Sequence, residues 1–134
     1  MMAQALVKLP DFVLFFSGSL VLVGLYLLVY TLATSHNEFG LIRQNNVAAA
    51  LSLGLSLTGF ALPLSSAVVH STSIVDLAIW GVVAIVVQLI VYMLVRLVLP
   101  NLSSRIAGGE LASALFLGAA SLAAGVINAA AMSF

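Results

Sequence analysis

The chain has 134 residues, 63% of them hydrophobic and 6% charged, with a formal net charge of zero and no cysteine, and its mean hydropathy is +1.28. A soluble domain carries roughly 25% charged residues, so this composition excludes a water-soluble globular fold. Neutral charge without a basic run leaves nucleic-acid binding and a polybasic lipid anchor without support, and the lack of cysteine excludes disulfides, thiol catalysis and thiolate metal sites.

All eight charged side chains (Lys8, Asp11, Glu38, Arg43, Asp76, Arg96, Arg105 and Glu110) fall at the ends of, or between, four long apolar runs. About 20 apolar residues cross a bilayer core as a helix. The runs therefore predict an all-α membrane protein with transmembrane helices at about 12–33, 47–69, 77–99 and 111–132, read as one four-span domain over residues 1–134.

The first run follows Lys8 and ends in Thr31-Leu32-Ala33, which resembles a secretory signal. Its 22 residues exceed the ~7 to 15 apolar residues of a signal core, so it is expected to stay as a span. Asp11 directly precedes it and reads as a helix cap, a carboxylate facing the positive end of the helix. The loop TSHNEFGLIRQNN, residues 34–46, follows as the largest soluble surface. Within it Glu38, Phe39 and Arg43 are the candidates for contact with a partner.

Span two places Ser52, Ser56, Gly59, Pro63 and Ser66 on one helical face. Pro63 frees the carbonyl of Gly59 and predicts a kink. His70 then opens a short loop on the opposite side of the membrane from His36, so the two histidines cannot clamp one metal ion, and a pH-sensing role for either rests only on the ordinary titration range of the ring.

Span three opens after Asp76, a second expected cap, and carries the one strongly polar side chain deep in a hydrocarbon run, Gln88. Tyr92 and Arg96 follow it at steps of four. A mid-bilayer amide needs a hydrogen-bond partner. Gln88 is either glue between helices or, with Tyr92 and Arg96, one wall of a solute or ion path. Arg96 also reads as a snorkelling terminal residue, and Tyr26, Tyr30, Trp80 and Tyr92 as interfacial rings. Pro100 closes the span. Gly108-Gly109 lacks the further glycine and lysine of a phosphate loop and reads as a turn before Glu110, the first-turn carboxylate of span four.

Span four repeats the small-residue pattern with Ala114, Gly118, Ser121, Gly125 and Asn128 on one face. Helices in lipid associate by close approach across small residues and by interhelical hydrogen bonds, so spans two and four are expected to form the inner seam. The stripe is accounted for by packing alone; the functional alternative is a narrow polar path that includes Ser121 and Asn128. An offset of 64 pairs Ala48, Ala50, Leu51, Leu53 and Gly54 with Ala112, Ala114, Leu115, Leu117 and Gly118. That suggests two tandem two-helix repeats related by an axis along the membrane normal.

Arg43, Arg96 and Arg105 stand on one side and Lys8 on the other. The positive-inside rule then puts loops 34–46 and 96–110 in the cytoplasm and both termini outside.

The stretches NVAAALSLGLSLTGFALPLSSAVVHS from Asn46, DLAIWGVVAIVVQLIVYMLVRLVLP from Asp76 and GGELASALFLGAASLAAGVINAA from Gly108 resemble the YjfL-type bacterial inner-membrane proteins, a family known as domain of unknown function 350. The resemblance covers nearly the whole chain. It implies a small four-span plasma-membrane protein whose relatives are encoded near envelope-stress membrane-remodelling proteins and ATP-dependent peptide–spermidine-type ligases. It brings no catalytic or binding residues.

An enzyme is disfavoured because the expected buried segments offer hydroxyls and amides but no base. No cofactor or metal site is expected. Two classes remain: a non-enzymatic membrane component of an envelope or stress-related assembly, and a subunit of an oligomeric channel or transporter for a small solute or ion. The expected partners are the lipid bilayer and either further copies of the chain or a membrane-associated protein. The expected absence of a buried carboxylate favours the first class, because intramembrane acids usually mark proton and cation routes.

Overall fold

A computed structural model describes residues 2–34 and 37–132. Among them the chain is all α: α1 (Met2–Ala33), α2 (Glu38–Arg43), α3 (Val47–His70), α4 (Ile74–Val98), α5 (Leu102–Ala107) and α6 (Leu111–Ala131). Helices α1, α3, α4 and α6 are each long and apolar enough to span a bilayer, as the four runs require.

The ends of these helices depend on local chemistry. Asn46 caps α3 by accepting from the Ala49 N–H, and Ser73 caps α4 by accepting from the Asp76 N–H. Asp76 reaches back to the Thr72 N–H at 3.4 Å, so it supports the cap from the first turn and is not the cap itself. Asp11 is not a cap either. The residues before it favour helix, α1 begins at Met2, and Asp11 lies exposed inside it. Pro63 is accommodated within a continuous, buried stretch of α3.

The centre of the bundle is the α3–α6 seam. Ala114, Gly118, Ser121 and Gly125 of α6 and Ser52, Ser56, Gly59 and Pro63 of α3 are all buried. A Cβ on Gly125 would collide with the Gly59 carbonyl, and one on Gly59 with the Ser121 carbonyl. The two backbones are in direct contact. They run parallel, as shown by the residues bonded along the seam: Asn46 with Ala107, Ser56 with Ser121 and Ser66 with Ala129.

Helices α1 and α4 pack around this pair. Tyr26 stacks on Phe60 with ring centroids 4.4 Å apart, and Tyr30 meets the edge of Tyr92 at 5.7 Å. Val82, Val86 and Ile90 on α4, Val126 and Ile127 on α6, and Phe12 and Phe16 on α1 face outward. The molecule is thus apolar outside and small or polar inside, the arrangement a lipid solvent favours.

The two connections share a backbone pattern. The Asn37–Leu41, Ile42–Asn45 and Leu41–Asn46 backbone hydrogen bonds recur as Asn101–Arg105, Ile106–Gly109 and Arg105–Glu110. The left-handed residues Asn45 and Gly109 also correspond. Every one of these pairs is 64 residues apart, the offset found within spans two and four. Under that correspondence Glu38 matches Leu102, and each side chain is 1% exposed. A position filled by leucine in one connection holds a carboxylate in the other.

Gly125→Ala is expected to lower stability by about 1–3 kcal/mol, since the added methyl must push two backbones apart. Gly54→Ala, where a Cβ meets nothing within 4 Å, should leave stability unchanged or raise it by up to ~1 kcal/mol through helix propensity. Reversible unfolding in detergent distinguishes the two. Equal stability of Gly125→Ala and the parent would mean that the backbones do not touch there.

Candidate functional site

Three spans bring polar side chains to one depth. Ser56 lies nine residues into α3, Ser121 ten residues into α6 and Gln88 ten residues before the end of α4, all about 15 Å from the α2–α5 face at 1.5 Å per residue. Gln88 Nε2 donates to the Ser121 carbonyl at 3.1 Å. The Ser56 and Ser121 hydroxyls are 3.3 Å apart. Ser56 Oγ lies 3.4 Å from the Tyr30 hydroxyl, and Tyr26 donates to the Ser56 carbonyl at 3.4 Å. Gln88, Ser56, Ser121, Tyr26 and Tyr30 are each at most 1% exposed.

Toward the loops from this cluster lies Glu38, whose side chain is buried where α2 packs on α3. Tyr92 joins the same face, its hydroxyl 3.1 Å from Ser103 Oγ of α5. Toward the opposite side the cluster stops, because the Gly59–Gly125 contact closes the seam.

Gln88 and Ser121 are thus joined by a hydrogen bond between α4 and α6, whereas the Tyr92 hydroxyl bonds Ser103 and Tyr92 meets the cluster only through its ring against Tyr30. Arg96 does not join them. It is exposed while Val95 is buried, because the inward face of α4 advances from 88 to 92 to 95. Asn128 lies two turns beyond Ser121, half-buried on the far side of the glycine contact, and its Nδ2 has no hydrogen-bond partner among the described residues.

The loop candidates also separate. Phe39 and Arg43 are exposed, but Glu38 is not available to a partner, since its side chain turns into the bundle. The expectation of no buried carboxylate is corrected by the same residue. Tyr26, Tyr30 and Tyr92, expected at the interface, are core residues with their hydroxyls engaged. The spacing of Leu22, Tyr26 and Tyr30 at steps of four was the available signal for that buried face. His70 sits at the exposed end of α3 with Nδ1 2.8 Å from the Ser66 carbonyl; His36 lies outside the described residues.

A family model described as Domain of Unknown Function (DUF350) matches residues 1–132. The chain is 43% identical over 120 residues, 90% of each chain, to the UPF0719 inner membrane protein YjfL of Escherichia coli (strain K12), and equally so to the protein of that name from Escherichia coli O157:H7. To the UPF0719 transmembrane protein YshE of Bacillus subtilis (strain 168) it is 25% identical over 94 residues, 70% of each chain. No solved structure matches the chain.

The absence of native cysteine allows a direct check of the loop. A cysteine replacing Phe39, which is 44% exposed, should react with a water-soluble maleimide about tenfold or more faster than one replacing Glu38, which becomes reachable only by local opening. Equal rates in two folded variants would contradict the burial of position 38.

Proposed function

The chain belongs to the DUF350 family of multi-pass inner-membrane proteins, and on that premise we propose that it is a non-enzymatic component of an envelope or stress-related membrane assembly. It works by lateral association, with further copies of itself or with a membrane protein partner. The observation that carries this reading is the closure of the seam. The polar cluster around Ser56 and Ser121 stops at mid-depth against the Gly59–Gly125 backbone contact, so the described residues of one copy give no continuous polar route along its own axis. What it offers its surroundings is lateral: α1 buries only Leu22, Tyr26 and Tyr30 and presents Phe12 and Phe16 outward, beside an open apolar groove against α3.

A second reading, a subunit of an oligomeric channel or transporter for a small solute or ion, draws its support from Glu38. A leucine fills the corresponding position 102, so burial there does not need a charge. Intramembrane ionisable groups are costly and usually mark ion or proton routes. In this reading neighbouring copies supply the missing half of the path.

The native mass in lipid nanodiscs decides between the two. The association reading expects a dimer or a complex with a second protein, whereas a closed ring of four or more copies favours the channel reading. A lone monomer in gently extracted native membrane would contradict both.

Orientation is part of the proposal, with α2 and α5 in the cytoplasm on the side of Arg43, Arg96 and Arg105. In intact cells a membrane-impermeant maleimide should label a cysteine replacing Thr72, and should label one replacing Gln44 only after permeabilisation. Both positions are exposed. The reverse pattern would invert the topology.

A further inference from the structure

We infer that copies of this chain associate head to tail, the outward face of α3 in one copy packing on the outward face of α6 in the next, in the register that the α3–α6 seam already uses within one copy. The inference rests on lateral association between copies, which both readings above share, and it names the faces that meet.

The first observation is the correspondence of the two halves. Within the seam Gly118 of α6 lies against Leu55 of α3, and Gly125 against Gly59. The counterparts of Gly118 and Gly125, 64 positions earlier on α3, are Gly54 and Ala61; those of Leu55 and Gly59, 64 positions later on α6, are Ala119 and Ala123. All four are exposed. Residues two positions apart stand about 200° apart around a helix, so Ala61 is on the far side of α3 from Gly59, and Ala123 on the far side of α6 from Gly125. Each helix therefore carries, on its outer side, the counterpart of the face that the other puts into the seam.

The second observation is what the seam's own register pairs when it is moved by 64 positions. Leu55 against Gly118 becomes Ala119 of one copy against Gly54 of the next, and Gly59 against Gly125 becomes Ala123 against Ala61. The bond from Ser66 to the Ala129 carbonyl brings Ala130 against Ser65. All six residues of the moved pairs are small and exposed, and small residues on both sides of a contact are what helices need to associate in lipid. Gly54 has nothing within 4 Å of the place of a Cβ, although glycine weakens a helix interior relative to alanine. One copy gives it no packing role, and the contact with a neighbour supplies one.

The contact continues the seam in two further respects. Helices α3 and α6 run parallel, so copies inserted the same way round in one membrane can repeat it. Ala61 and Ser65 also line the open groove between α1 and α3, which receives the end of the neighbour's α6. The alanines at 61 and 123, where the seam has glycines, hold these helices further apart, and the contact between copies is the looser of the two. Because it joins two different faces it is heterologous, and it extends from copy to copy where the rotation permits a ring.

The test is disulfide pairing in native membranes, with G54C in one copy and A119C in another, each carrying its own tag. In the seam a Cβ at Gly118 would stand 2.7 Å from the Leu55 Cβ; the wider contact between copies moves the equivalent pair toward the ~3.5–4.5 Å of a disulfide. Mild oxidation should give a reducible band of twice the monomer mass that carries both tags and exceeds the bands of like variants. S65C with A130C should behave in the same way, and carries the test if G54C is not produced. Pairing of like variants alone would mark a twofold contact and overturn the inference. Absence of mixed bands for both pairs, with the parent still of several copies by native mass, would overturn these faces and leave association standing. A monomeric parent would remove the association reading and the inference with it.

Discussion

The backbone contact between α3 and α6 is the constraint on which the rest of the molecule depends. Lipid tails give two apolar helices no reason to prefer each other over the bilayer, so association rests on dispersion at close range and on hydrogen bonds. Gly59 and Gly125 permit that range, since a methyl at either would strike the opposite backbone. Once the helices are this close, Ser56 meets Ser121, and Gln88 reaches the Ser121 carbonyl from α4. Tyr26 and Tyr30 then fill the remaining side with their hydroxyls turned inward. The polar cluster is a product of the seam, and the glycine contact that creates it also closes it toward the far side of the membrane.

The seam was legible in the sequence because small residues recur at steps of four and three in two segments with few other reasons to be rich in glycine and serine. The direction of α4 was less so. Stepping by four from Gln88 selects Arg96, but at about 100° per residue position 95 falls within about 20° of position 88, and position 96 about 80° away. Val95 is accordingly buried and Arg96 exposed. The tyrosines were misplaced because an amphipathic ring suits both an interface and a core that offers it a hydrogen bond. Nothing local separates those settings.

Glu38 was illegible for another reason. It lies in a six-residue helix with no periodicity long enough to define a face, and only the fold turns it inward. The correspondence of the two connections gives this residue its meaning. Their backbone hydrogen bonds recur 64 positions apart, and so does one left-handed residue, Asn45 as Gly109, although the left-handed Asn101 answers to an extended Asn37; the paired side chains differ in kind. Asn46 caps α3 and reaches Ala107, whereas Glu110 makes no side-chain cap; Leu102 is buried at the position where the other connection buries the carboxyl group of Glu38. The two connections thus share a backbone pattern and differ in the side chains placed on it.

Pairing of two introduced cysteines tests the seam most directly, because the chain has none of its own. The Ser56 and Ser121 hydroxyls are 3.3 Å apart, close enough for sulfurs placed there to bond after a small rotation. The double variant S56C with S121C is predicted to form an intramolecular disulfide under mild oxidation in the membrane, seen as a reducible shift of the monomer band on a gel. Two free thiols under those conditions, or cross-links only between separate copies, would contradict the parallel, backbone-to-backbone packing of α3 and α6.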